Sequence, residues 1–375
     1  MKNILIVAGE ASGDIHASHL IENLKTLNPD LTFCGIGGKR MSDAGVEIIY
    51  PIENLSIIGV SEIFCKIGHL RQAYKNVMAT VVKKSVKTVI LVDYPGFNLM
   101  LAKALKKKGI PVIYYITPQV WAWGKFRINS IKKYVDKALV IFKFEEDLFR
   151  KHGVLATFVG HPLLDTDVKP YPDKFSLGLV DRKMTIALLP GSRESEIKRK
   201  LPMMLRTAEL LKKKMDLQFI LLKTSSVDET IYKEILGRSG LTISEIKDNS
   251  YGCLSVSDFV LTSSGTATLE CAIMERPMLI TYQTSLLTGL LFKVFARTRF
   301  IGLVNIIAGK IISPEILQYD ANPKSLSQAI LSIISSKEKM DKQIKELKEV
   351  KRSLGTPGGS LRAAGIINNF IKLQQ

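Results

Sequence analysis

The sequence contains no run of about 18 uncharged apolar residues, so no membrane-spanning helix is expected. Its four cysteines (Cys34, Cys65, Cys253 and Cys271) lack Cys-x-x-Cys spacing and have no histidine cluster beside them. That argues against a disulfide framework and a structural zinc site, and reads as reduced, buried thiols in a cytosolic chain. The opening apolar run, Ile4 to Ala8, is too short for a signal peptide. There is no short-period repeat and no low-complexity segment. Acidic residues are scarce: 35 Asp and Glu face 53 Lys and Arg, a net charge of +18. The excess is not an appended tail, because residues 1–160 carry 22 basic and 13 acidic residues, half of the net charge. Such a surface suits an anionic partner such as membrane headgroups or phosphorylated substrates. The basic runs lack interleaved aromatics and any reader motif, which sets nucleic acid aside.

What is present is a globular composition, 46% hydrophobic over 375 residues, enough for two domains of ordinary size. Short apolar runs alternate with helical periodicity. Strands are expected at Ile4 to Ala8, Leu31 to Ile36, Val89 to Val92, Val112 to Tyr115 and Ala138 to Phe142. After a Pro-, Asp- and Lys-rich stretch reaching Arg182, read as an interdomain linker, the alternation resumes. Strands follow at Thr185 to Leu189, Gln218 to Leu222, Phe259 to Leu261 and Met278 to Thr281. Continuous apolar strands between helices predict parallel sheets covered on both faces. The fold class is therefore α/β: two tandem Rossmann-like doubly wound domains facing a cleft, with a helical C-terminal tail. The expected boundaries are 1–165, 183–355 and a last helix within 356–375.

Ligands of such sheets sit beyond the carboxyl ends of the strands. Two turns there are rich in small residues, Pro190-Gly191-Ser192-Arg193 and Ser264-Gly265-Thr266-Ala267, and each opens a helix. Free N–H groups at a helix start attract phosphate, and two such turns can hold a diphosphate. Arg193 supplies fixed positive charge. Glu270, one turn into the second helix, is placed to accept hydrogen bonds from sugar hydroxyls. The expected ligand is a nucleoside diphosphate compound.

In the first half, Asp93 stands at a strand end in Val92-Asp93-Tyr94-Pro95-Gly96-Phe97-Asn98. It reads equally as a general base with a raised pKa or as a turn former. Glu10-Ala11-Ser12-Gly13-Asp14 forms a glycine-containing turn that admits a ligand, with Ser12 or Asp14 alternatively capping a helix. Trp121 and Trp123 are a stacking or acyl-facing surface, or core; Arg127 could contact a substrate phosphate. Asp165 and Asp167 form a weak metal-like pair in the linker. Apolar stretches at Leu55 to Val60 and Leu286 to Ile312, the latter interspersed with basic residues, fit a membrane interface, a core or a subunit contact.

In order along the chain, Gly9 to Asp14, Asp93 to Asn98, Pro118 to Trp123, Gly160-His161-Pro162, Leu188 to Arg193, Ser264 to Glu270 and Asn305 to Gly309 resemble one family, the lipid-A-disaccharide synthases. The resemblance implies the GT-B architecture and an inverting, metal-independent glycosyltransferase without a cofactor. It implies transfer of 2,3-diacylglucosamine from UDP to 2,3-diacylglucosamine 1-phosphate, giving a β-1,6-linked disaccharide 1-phosphate. It implies peripheral attachment to the cytoplasmic face of the inner membrane of a Gram-negative bacterium; a homodimer is compatible with it. The implied roles are Asp93 as base; Ser192, Arg193, Ser264, Gly265, Thr266, Ala267, Glu270 and Asn305 as donor contacts; and Glu10, Ser12, Gly13, Asp14 and Arg127 as the acceptor pocket. Val304 stands where the family usually has proline, and Gln283 where a basic residue is common. Competing readings are another UDP-sugar transferase or epimerase with a soluble substrate, and a non-enzymatic nucleotide-binding or membrane-docking module.

Overall fold

The computed structural model describes residues 2–55, 63–121, 126–166, 171, 173–283 and 300–374. The chain divides into two compact units, residues 1–165 with 354–375, and residues 166–353.

The first unit begins β1 (Lys2–Ala8), α1 (Ala11–Leu27), β2 (Leu31–Gly37), α2 (Lys39–Asp43), β3 (Glu47–Pro51) and α3 (Ile63–Lys83). It continues β4 (Thr88–Val92), α4 (Pro95–Lys107), β5 (Val112–Tyr115), α5 (Phe126–Tyr134), β6 (Lys137–Val140), α6 (Lys143–Lys151) and β7 (Ala156–Phe158). Its sheet is parallel in the order β3-β2-β1-β4-β5-β6-β7. The central strands explain this. Ile4 to Ala8 and Val89 to Val92 are at most 1% exposed, as strands covered by helices on both faces must be.

The second unit runs β8 (Met184–Leu189), α7 (Glu194–Lys212), β9 (Leu217–Lys223), α8 (Glu229–Leu236), β10 (Ser244–Lys247), α9 (Ser250–Ser255) and β11 (Phe259–Ser263). Then come α10 (Ala267–Ile273), β12 (Met278–Tyr282), α11 (Leu303–Ala308), β13 (Glu315–Leu317), α12 (Pro323–Ile334) and α13 (Lys337–Ser353). Its sheet, β10-β9-β8-β11-β12-β13, is also parallel. In each unit the strand order reverses beside the first strand, between β1 and β4 and between β8 and β11. In open parallel sheets ligands bind in the crevice at that reversal.

The last helix, α14 (Gly359–Leu373), set apart in the sequence reading, packs on α1 in the first unit. Asn23 Nδ2 donates to Ser360 Oγ at 3.2 Å, and Asn28 Nδ2 to Asn368 Oδ1 at 3.3 Å. Asp165, read from sequence as half of a metal-like pair, has a structural task. Its carboxylate accepts the N–H groups of Gly358, Gly359 and Ser360 at 2.6, 3.2 and 3.0 Å, capping α14. Part of the expected linker belongs to the second unit: Lys174 pairs with Asp258 there at 2.7 Å. Trp123, Asp167, Ser56 to Val60 and residues 286–299 lie outside the described residues. Among the described residues, no helix is long and apolar enough to cross a membrane.

Candidate active site

In the second unit a cavity of about 470 Å³ opens at the carboxyl ends of β8, β9 and β11, at the reversal of strand order. Both small-residue turns line it, with Ser192, Arg193, Ser264, Gly265, Thr266, Ala267 and Glu270 all contributing. Gly191 and Gly265 have φ of +126° and +124°, values that a side chain would strain. At Gly191 an added Cβ would also stand 2.4 Å from Glu196 Oε2.

The second turn is shaped by Thr268, whose Oγ1 donates to Gly265 O at 2.8 Å. The N–H groups of Thr268, Leu269 and Glu270 return to Gly265 and Thr266. Gly265, Thr266 and Ala267 therefore stand at the head of the ladder, where helix geometry supplies their N–H groups no partner. Arg193 holds the N-cap position of α7, and its side chain is 73% exposed. Lys223 also lines the cavity but is engaged by Glu229 and, at 2.6 Å, by Glu245. Of these two cations, Arg193 is the less engaged, with only a 4.0 Å approach to Glu196. Burial raises the pKa of Glu270 against the hydrogen bond from Ser250.

Asn305, implied by the resemblance as a donor contact, sits behind the cavity wall formed by the described residues. It is fully buried and does not line the cavity. Its amide donates to Ser313 O and Glu315 Oε1, both at 2.7 Å, and its Oδ1 accepts the N–H groups of Ile312 and Ser313. All of its hydrogen-bonding capacity holds the loop between α11 and β13.

In the first unit Asp93 and Tyr94 follow β4 with φ of +48° and +47°. Two consecutive left-handed residues with side chains are strained, a feature that clusters at functional sites. The surroundings hold them there. Tyr114 Oη donates to Asp93 O at 2.6 Å, Asn98 Nδ2 donates to the same oxygen at 2.7 Å, and Pro95 begins α4. Gly9 lets the Tyr94 ring lie against the end of β1, since a Cβ at Gly9 would come within 2.2 Å of it. Burial, followed by repulsion from Glu10, pushes the Asp93 carboxyl up to about 6, while a hydrogen bond from the Tyr94 backbone opposes the shift.

Glu10 is exposed beside Asp93, Ser12 is exposed in the first turn of α1, and Arg127 lies over the Phe126 ring at 5.7 Å. A Cβ added at Gly13 would meet Ala8 Cβ at 3.4 Å, an ordinary contact, so crowding does not demand glycine there. Asp14, implied by the resemblance as part of the acceptor pocket, is engaged by backbone. It is 4% exposed and accepts the N–H groups of Gly38, Arg40 and Met41, holding the start of α2. His16 and His161 are held down to about 4 and about 3, chiefly by burial.

The sequence reading missed several groups. Glu196 lines the cavity one turn into α7, and its spacing from Ser192 was the available signal. Asp248 and Ser250 follow β10, an edge strand with little apolar signature. Glu145 was also missed: it accepts the Nε1–H of Trp121, a residue the sequence did single out, at 2.9 Å, and that indole meets Phe142 and Phe144 edge-on. Burial lifts the Glu145 carboxyl to about 7.

Residues 4–364 match the family described as lipid-A-disaccharide synthetase. Lipid-A-disaccharide synthase 1 of Legionella pneumophila (strain Lens) is 40% identical over 94% of this chain and 93% of its own. The lipid-A-disaccharide synthase of Geobacter sulfurreducens is 39% identical over 99% and 98%. Among solved structures, the UDP-GlcNAc 2-epimerase of Neisseria meningitidis superposes with a TM-score of 0.63 at 14% identity, covering 99% of this chain and 100% of its own. The calicheamicin glycosyltransferase CalG4 gives 0.66 at 11% identity, covering 99% and 98%. At such identities these two share the fold, which is of the GT-B class. The family match over nearly the full length, with relatives near 40% identical from end to end, shows that this chain belongs to the lipid-A-disaccharide synthase family.

Proposed function

We propose that this enzyme transfers 2,3-diacylglucosamine from its UDP derivative to the 6-hydroxyl of 2,3-diacylglucosamine 1-phosphate at a membrane surface. The observation that carries the donor half is the cavity at the β8–β11 reversal, walled by two glycine turns and Arg193. Backbone N–H groups and a guanidinium there suit a leaving diphosphate. Glu270, also lining the cavity, suits the ribose hydroxyls.

The carboxylate of Asp93 takes the acceptor hydroxyl proton as the oxygen attacks the anomeric carbon. The carbon–oxygen bond to the β-phosphate breaks in the same displacement, and its electron pair leaves with UDP. One displacement inverts the anomeric configuration, so one base suffices. A carboxyl with a pKa near 6 is mostly ionised at neutral pH yet more basic than an ordinary aspartate, which favours proton abstraction. Glu10, whose charge acts on Asp93, is assigned with Ser12 and Arg127 to the acceptor.

The test is incubation with both diacyl substrates and mass analysis of the product. A tetraacyl disaccharide 1-phosphate, formed equally well in EDTA, is expected. An epimerised UDP-sugar, or no transfer, would overturn the reading.

A further inference from the structure

Glu196 is an acid on the wall of a cavity suited to an anion. Its Oε2 accepts the Ser192 N–H at 3.1 Å, a backbone donor of the first phosphate turn. The same oxygen lies where a Cβ on residue 191 would fall, so the glycine makes room for this carboxylate. Its other oxygen lies 4.0 Å from an Arg193 guanidinium nitrogen and 3.6 Å from Lys200 Nζ. Lys200, one turn further along α7, is 2% exposed, and its ammonium has no hydrogen-bond partner among the described residues. It lies over the Tyr282 ring at 5.5 Å. A buried ammonium without a hydrogen bond is costly and is retained where it has a task. Burial lowers its pKa, with Glu196 acting against the shift and Arg199 and Arg193 adding to it.

Resting on the reading of this cavity as the diphosphate site, we infer that Glu196 is an internal stand-in for phosphate. Its carboxylate caps the Ser192 N–H, is displaced by the incoming diphosphate, and is then received by Lys200. A phosphate oxygen can take that N–H only after the carboxylate oxygen leaves it. The displaced carboxylate needs a counter-charge that does not itself reach the ligand. Lys200 meets this need, because it is buried, is not among the residues lining the cavity and is already within ion-pair range. Glu196 thus sets how tightly the diphosphate is held, and therefore how readily UDP departs after transfer.

Titration calorimetry with UDP and with uridine tests this, using the full chain and checking each variant by thermal melting. Glu196→Gln keeps an acceptor for Ser192 but removes the charge. UDP affinity is expected to rise about tenfold, since a charged hydrogen bond and a like-charge repulsion are both removed. Uridine, lacking phosphate, should show no change. Lys200→Met should weaken UDP binding about tenfold in the wild type and have no effect in the Glu196→Gln background. Unchanged or weaker UDP binding by Glu196→Gln would overturn the inference, as would equal losses from Lys200→Met in both backgrounds. If Lys200→Met fails to fold, the UDP-against-uridine comparison decides alone. Failure of the wild type to bind UDP would instead overturn the donor-site reading, and this inference with it.

Discussion

Asp93 shows what a single side chain costs and supplies. Its carboxyl is raised from 3.8 to about 6, mainly by burial. Between those values the folded chain binds the proton more tightly than the unfolded chain, so stability falls as pH rises across this window. Above pH 6 the ionised group costs the fold about 2–3 kcal/mol, from a shift of roughly two units. Asparagine resembles the neutral acid and tolerates the left-handed backbone at this position. Asp93→Asn is therefore expected to melt several degrees higher at pH 8, with no gain at pH 4, while transfer is abolished and UDP still binds. Calorimetry at the two pH values, alongside the transfer assay, checks all three outcomes. In the wild type, kcat/KM should rise with pH through about 6 as the base ionises. Glu10→Gln removes the second cause of the shift, so the acid limb of that profile should move to lower pH. Because burial is the larger cause, the limb should not reach the ordinary aspartate range. A limb that stays in place would detach Glu10 from the base.

At the scale of elements, the caps decide which acids are structural. Asp14 gathers three N–H groups at 2.7, 3.0 and 3.2 Å at the entrance to α2. Removing the acceptor leaves these donors short of partners in a largely buried place. Asp14→Ala should cost about 2–4 kcal/mol in urea unfolding and leave UDP affinity unchanged. Lost UDP binding with an intact fold would return Asp14 to the functional residues. From sequence, Asp14 looked like a cap or a pocket wall because its partners are 24 to 27 residues away. Asn305 was assigned to the donor for the same reason: the resemblance carried its position but not its four internal hydrogen bonds. Strands were legible according to their burial. The nine expected from apolar runs are the interior strands of both sheets. The four that escaped, β3, β7, β10 and β13, are the outermost strands. Their sequences, EIIYP, ATF, SEIK and EIL, are short and half-exposed, and edge strands without a covered second face carry no continuous apolar run. The two small-residue turns were readable because positive φ demands glycine, a constraint written in one residue. The stand-in Glu196 and its buried Lys200 were not, since a basic helix end looks like a solvated face until burial is known.

For the whole molecule, two units repeat one strand order and each places its candidate residues at the same reversal of that order. What differs is closure. The first unit is completed by the end of the chain, because α14 packs on α1 after 188 intervening residues have formed the second unit. Its contribution is large. Leu354, Ala363, Ala364 and Ile367 are fully buried and Ile371 is 5% exposed. Loss of each buried large aliphatic side chain costs about 2–5 kcal/mol, so Leu354, Ile367 and Ile371 together rival the net stability of a domain, about 5–15 kcal/mol. Removal of α14 also leaves the Asp165 carboxylate without the three N–H groups it caps. A chain ending at Ser353 should thus lose its first unit selectively. Hydrogen exchange should show collapsed amide protection across residues 2–165 and retained protection across 173–353, with UDP still bound and transfer absent. Equal protection of both units in the shortened chain would mean that the first fold is complete without its last helix, and that α14 is an ornament rather than a wall.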